Sequence, residues 1–122
     1  MQNGETTVQE NVIVEKSFTF AVRIVKLCKY LRESKNEYIL TKQLLRCGTS
    51  VGANIAEAQR GQSKADFAAK MSIALKEANE TQYWIKLLFH TDYLTQEEYH
   101  SIYKDNDEII SLLIAICKTS SK

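Results

Sequence analysis

The sequence contains no proline and only four glycines in 122 residues. A loop-rich all-β chain would usually carry turn prolines, whereas helix interiors exclude them, so the absence points to helices. Charge of one sign is missing too: 16 Lys and Arg stand against 15 Asp and Glu, a net charge of +1. No bulk field therefore argues for nucleic acid or a membrane surface. No apolar run approaches the roughly 20 residues of a membrane span. The opening MQNGETTVQEN lacks the basic-then-apolar order of a secretory signal. Cysteine is scarce: Cys28, Cys47 and Cys117 are odd in number and show no CxxC spacing, which excludes a disulfide framework. They read as small apolar residues in a reducing cytoplasm.

What is present is ordinary for one globular domain: 44% hydrophobic and 25% charged residues. The apolar positions recur with helical rhythm, and punctuation divides them into four helices, at about 12–34, 37–60, 63–91 and 96–118. Residues 1–11 are expected to be a flexible tail and 12–119 the bundle domain. Helix one has two apolar rows, Phe20, Ile24, Leu27 and Leu31 beside Val14, Phe18, Ala21, Val25 and Cys28. At about 100° per residue they cover close to half its circumference, more than one buried stripe needs, which predicts a second partner surface.

Gly61 is placed to end helix two. Ser63 and Asp66 resemble a capping box at the start of helix three, and Thr95 with Glu98 forms one at the start of helix four. Phe67, Met71, Ala74, Leu75, Ala78, Ile85 and Phe89 make the core face of helix three. Tyr99, Ile102, Ile109, Ile110, Leu113 and Cys117 make that of helix four. Short connections favour antiparallel neighbours, so the expected fold is an all-α, up-down four-helix bundle.

The stretch RCGTSVGANIAEAQRG, residues 46–61, is the unusual one. Each glycine in a helix interior costs about 0.8–1.0 kcal/mol relative to alanine, yet Gly48 and Gly52 lie one turn apart inside a helical pattern. A phosphate loop needs GxxxxGK[ST] between strand and helix, and neither is here. A break at Gly48 with a restart at Asn54 would leave under two turns before Gly61. The seam Leu40, Leu44, Cys47, Val51, Ile55 and Ala58 also crosses it in phase. The preferred reading keeps one helix and uses Gly48, Gly52 and Ala56 as a close-packing strip, against a neighbouring backbone or a buried Tyr or Trp.

Two surfaces are candidates for partners. On helix three, Ile73, Trp84 and Leu87 lie opposite the core face, with Glu77 and Glu80 among them. Together with a polar row on helix two, Gln43, Ser50, Asn54 and Glu57, they form a candidate oligomer interface. The charge distribution supplies the other. Residues 12–35 carry Lys16, Arg23, Lys26, Lys29, Arg32 and Lys35 against only Glu15 and Glu33, while residues 92–122 are acidic on balance. Two readings stand: attraction between neighbouring helices, or an RNA- or DNA-binding face built on Lys16, Arg23, Lys26 and Lys29. His90 and His100 fall on different helices without ligand-spaced companions, and nothing marks an activated nucleophile. No catalytic, cofactor or metal residues are assigned.

The segment YILTKQLLRCGTSVGANIAEAQRGQSKADFAAKMSIALKEANETQYWIKLL, residues 38–88, resembles the bacterial four helix bundle protein family, also called the 23S rRNA intervening-sequence protein family. KSFTFAVRIVKLCKYL and YLTQEEYHSIYKD extend the likeness over nearly the whole chain, and QLLRCGTSVGANIAEA is its most specific piece. Cys47 stands where Ser is expected. The resemblance implies an antiparallel bundle assembling into a symmetric ring, a homopentamer, with no enzymatic chemistry and no cofactor. Some relatives are encoded within 23S rRNA intervening sequences. Another is the accessory protein of diversity-generating retroelements, a basic pentamer that binds nucleic acid and a reverse transcriptase. The expected function is thus a non-enzymatic, cytoplasmic, homo-oligomeric scaffold or interaction protein without membrane association. Its partners would be its own copies and a further protein, with an RNA- or DNA-binding ring as the alternative.

Overall fold

The computed structural model of the chain describes residues 4–120, with side chains from residue 11 onward. Four helices follow one another: α1 (Gly4–Lys35), α2 (Leu40–Ala58), α3 (Lys64–His90) and α4 (Gln96–Ser120). Cross-helix pairs run in opposite numerical order, with Gly48 against Ile24 and Gly52 against Ser17, Arg46 with Glu77, and Glu57 with Lys70. Each helix is therefore antiparallel to the next. The helices close in the order α1–α2–α3–α4, without diagonal contact among the described residues, and the α1–α4 side is the loosest.

The boundaries differ from expectation by two residues or more at four ends, one being the end of α2, at Ala58 rather than residue 60. Residues 4–11, expected as a tail, continue α1; the stretch contains no proline to stop the helix. Residues 1–3 of that expected tail lie outside the described residues. At the other terminus α4 runs to Ser120, whose hydroxyl donates to Ile116 O at 2.8 Å.

The remaining difference is the start of α2, at Leu40 rather than Glu37. Glu37 instead caps the helix from outside. Its carboxylate accepts from the backbone N–H groups of Ile39 (3.1 Å), Leu40 (2.9 Å) and Thr41 (2.8 Å). These are free first-turn donors that a helix must satisfy externally. Burial opposes the charge on Glu37, but the three donors outweigh it and hold the carboxyl below its ordinary 4.5. Thr41 is a second junction here. Its hydroxyl donates to Glu37 O (2.9 Å) and accepts from Arg32 Nε (3.0 Å).

Of the other caps, Thr95 and Glu98 make the full reciprocal box, Glu98 N to Thr95 Oγ1 at 3.1 Å and Thr95 N to Glu98 Oε1 at 2.8 Å. Ser63 accepts from Asp66 N, while the shorter Asp66 carboxylate reaches back to Gln62 N. Gly61 does not adopt the left-handed conformation expected of a helix-ending glycine. It is needed for room, because a Cβ there would stand 3.2 Å from Ala58 O and Phe67 N. The left-handed residues are Asn36 (φ 55°) and Asp92 (φ 71°), which end α1 and α3. Asn and Asp tolerate that region better than most residues.

The core runs from Ile13, Phe20, Ile24, Cys28 and Leu31 of α1 through Leu44, Val51 and Ile55 to Met71, Ile85 and Leu88, and on to Ile102, Ile109 and Leu113. The α2 seam is buried as its rhythm predicts, apart from a half-buried Leu40. On α1 Ile13, Ser17, Phe20, Ile24, Cys28 and Leu31 are buried; Leu27, Val14 and Ala21 are partly covered, and Phe18 and Val25 face out. Thr81 and Leu88 on α3, and Asn106 and Ile116 on α4, take core places that apolar spacing did not assign. Asn106 is fully buried and donates to Ala78 O (2.9 Å) and Gln82 Oε1 (3.1 Å), while its Oδ1 has no partner. The two donated hydrogen bonds form only where Asn106 lies against Ala78 and Gln82, so this buried amide ties α4 to one register on α3, as single buried Asn residues do in coiled coils.

Two experiments follow. Glu37→Ala should lower stability at pH 7 by about 0.5–2 kcal/mol, the usual worth of a helix cap. Because the folded carboxyl titrates below its unfolded value, this advantage is complete above pH about 4.5 and fades as pH falls through the lowered folded value. Urea titrations from pH 7 to pH 3 should show wild type and Glu37→Gln converging. Gly48→Leu should cost about 1–3 kcal/mol by overpacking, since even a Cβ there would stand 3.0 Å from two Ile24 carbons. An unchanged urea midpoint would show that α1 yields without cost.

Candidate interaction faces

Glycine spacing determines how α1 and α2 meet. A Cβ on Gly52 would lie 3.1 Å from the backbone oxygen of Ser17, so the two backbones approach directly. Above it the Ile24 side chain fills the space that Gly48 leaves open. The neighbour is thus an α1 backbone and an aliphatic side chain, and no Tyr or Trp enters. Ala56, one turn beyond Gly52, is exposed.

That contact turns one flank of α1 toward α4. Lys16 Nζ lies 2.6 Å from Glu108 Oε1, and Arg23 Nη1 lies 2.6 Å from Asp105 Oδ2. Arg23 also donates to Ser101 O (3.4 Å) and Ser101 Oγ (3.0 Å). The first reading of the charge asymmetry, attraction between helices, accounts for these two cations. Lys26 and Lys29 are exposed and make no ion pair among the described residues. The four candidate nucleic-acid residues therefore do not form one cationic stripe. Where α1 and α4 are loosest, a groove of about 470 Å³ opens, lined by Val12, Glu15, Lys16, Phe20, Asp105 and Ile109 among others.

The α2–α3 side carries the candidate oligomer interface. Arg46 reaches across from α2 to Glu77 at 3.5 Å and to Glu80, and donates to Gln43 Oε1 at 3.2 Å. The Trp84 indole N–H donates to Glu80 Oε2 at 3.0 Å. That hydrogen bond first, and Arg46 after it, hold the Glu80 carboxyl below its ordinary value against the effect of burial. Ser50 and Asn54 are half-buried and bond to carbonyls of their own helix, Arg46 O (2.7 Å) and Ser50 O (2.8 Å). Exposed Glu57 pairs with Lys70 at 2.7 Å. The apolar members differ in exposure. Ile73 is 41% exposed, whereas Trp84 and Leu87 are half-buried. Trp84 packs partly on the core and edge-on to Tyr83, with centroids 5.0 Å apart.

Sequence rhythm assigned Phe18 and Val25 to an apolar row of α1 without distinguishing them from its buried members. In the fold Phe18 is 70% exposed, Val25 47% and Val22 39%, on one outward stripe. The signal was the excess width of the apolar arc.

No group of three His, Cys, Asp or Glu among the described residues is placed to hold a metal ion. His90 and His100 stand edge-on to Phe89 and Tyr99, with ring centroids 5.2 and 5.7 Å apart. Burial pushes the Cys28 thiol up to about 11 and shifts Cys47 the same way. Both are therefore protonated near neutral pH and poor nucleophiles. No described helix is long and apolar enough to cross a membrane.

Helices that meet through glycine, ion pairs and caps, with apolar residues left on outer faces, define a small four-helix-bundle protein. The chain belongs to the 23S rRNA-intervening sequence protein family, whose pattern spans residues 9–115. A similar crystal structure is that of a protein with unknown function from the S23 ribosomal protein family of Bacteroides thetaiotaomicron VPI-5482. It is 55% identical, with a TM-score of 0.89 over 90% of this chain and 98% of that one. No functionally curated protein matches the chain.

The α1–α4 pairs are half-exposed, so each should contribute only about 0.2–1 kcal/mol. A double-mutant cycle on Arg23→Ala and Asp105→Ala should give a coupling in that range at low salt, shrinking in 1 M NaCl. A coupling beyond about 2 kcal/mol would mean that the pair is far less solvated than its exposure indicates.

Proposed function

We propose that this protein is a non-enzymatic, cytoplasmic, homo-oligomeric helical scaffold that presents a binding surface to a protein partner, with the five-membered ring implied by the family resemblance as its assembly. The observation that carries this reading is the outer row of α3. Ile73, Glu77, Glu80, Trp84 and Leu87 alternate four- and three-residue steps, the spacing of a helix–helix seam. Its acidic members are already paired with Arg46, which limits the polar desolvation that a contact would incur. The polar row Gln43, Ser50, Asn54 and Glu57 lies on the same side and would form its rim.

Sedimentation equilibrium should give a mass several times the 14.0 kDa of one chain. Ile73→Glu should lower that mass while helicity persists. A wild-type monomer at micromolar concentration would refute the scaffold.

An RNA- or DNA-binding ring is the second reading. It is favoured by exposed Lys26, Lys29, Lys35 and Lys42, with exposed Tyr30 and Tyr38 nearby in sequence at the α1–α2 end. It is weakened by the pairing of Lys16 and Arg23 and by a net charge of +1. Binding to generic RNA that falls steeply with salt would support it; absence of retention at 50 mM salt would remove it.

A further inference from the structure

The outward stripe of α1 has a pattern that neither the core nor the α3 row uses. Its residues are Glu15, Phe18, Val22, Val25 and Lys29, in steps of three and four that keep them on one face of the helix. All five are exposed, and neither Glu15 nor Lys29 has an ion-pair partner among the described residues. The stripe is close to a palindrome about Val22. An acid stands seven residues before it, a base seven residues after it, and the apolar residues lie between.

We infer that this stripe pairs antiparallel with the same stripe of a second copy, around a two-fold axis near Val22. The inference rests on the reading that the chain self-associates, and it identifies a contact separate from the α3 row. Charge selects both the occupant and the direction. Antiparallel alignment brings Glu15 of each copy beside Lys26 and Lys29 of the other, twice per contact. Parallel alignment would set Glu15 against Glu15 and Lys29 against Lys29. The apolar centre then covers Phe18, the most exposed large apolar side chain of α1 among the described residues, against Val22 and Val25 of the other copy.

The neighbouring surface of α2 favours the same occupant. Phe18 stands at the level of Gly52, whose backbone touches that of Ser17. Half-buried Gly52 and the exposed Ala53 and Ala56 put no large or charged side chain near this level of α2. The paired length from Glu15 to Lys29 is about 21 Å of helix. That makes a modest contact, whose strength should respond visibly to single charges.

The test is sedimentation equilibrium of the full chain at low salt. The variants are Phe18→Glu, Glu15→Lys, Lys29→Glu and the double exchange Glu15→Lys/Lys29→Glu, with circular dichroism and melting as folding controls. Phe18→Glu should halve the assembly mass, from two paired rings to one, without changing helicity. Each charge reversal should weaken association about fivefold to tenfold, and the double exchange should restore it. An assembly that Ile73→Glu disrupts but Phe18→Glu and both reversals leave intact would overturn this contact and leave the scaffold reading standing. Failure of the double exchange to rescue would overturn the antiparallel pairing. A monomeric wild type would overturn both.

Discussion

The direct approach of the α1 and α2 backbones at Gly52 is the contact on which the other contacts of α1 depend. A side chain there would meet the Ser17 carbonyl, so the absence of one sets both the separation and the rotation of α1. Once Ser17 faces α2, the helical step of about 100° settles the other positions. Ile24 covers Gly48, Phe20 and Leu31 point to the core, Lys16 and Arg23 swing toward α4, and Phe18 turns outward. Two glycines that cost helix propensity are thus offset by a packing arrangement that larger residues would forbid.

Rotation of α1 also decides the electrostatics. A basic first helix and an acidic last helix could have pointed their charges into solvent. The α1–α4 side is the loosest of the bundle, and two ion pairs span it, Lys16–Glu108 and Arg23–Asp105. Half-exposed pairs add little stability, but they cancel charge. The α1 cations without an ion pair among the described residues, Lys26, Lys29, Arg32 and Lys35, lie in its C-terminal half. The surface potential therefore differs from what a count along the helix implies.

Much of the secondary structure was legible because its signals are local. Thr95 and Glu98 form their box within one turn, and Ser63 caps α3 as its type suggests. The apolar seam of α2 passed through both glycines in phase and is buried from Leu44 to Ala58. Signals that act from outside an element were harder to read. Glu37 resembles a first-turn residue of α2, yet it caps that helix from the connection. Gly61 resembles a helix stop, yet its smallness admits the start of α3. Asn106 lies outside the apolar row of α4, and the facing Ala78 carbonyl and Gln82 side chain receive its buried amide.

The same division applies to the interaction faces. The residue pattern by itself determined the number of helices, their order, their antiparallel pairing and the excess apolar width of α1, because periodicity and capping are properties of a chain and its nearest turns. Tertiary structure alone decided which flank of that width is covered, which cations are neutralised and which polar groups are satisfied. A helix's own sequence specifies how wide its apolar arc is, but the neighbours that pack against it select the part that leaves water. For this protein that choice buries Ile24, pairs Arg23 and exposes Phe18.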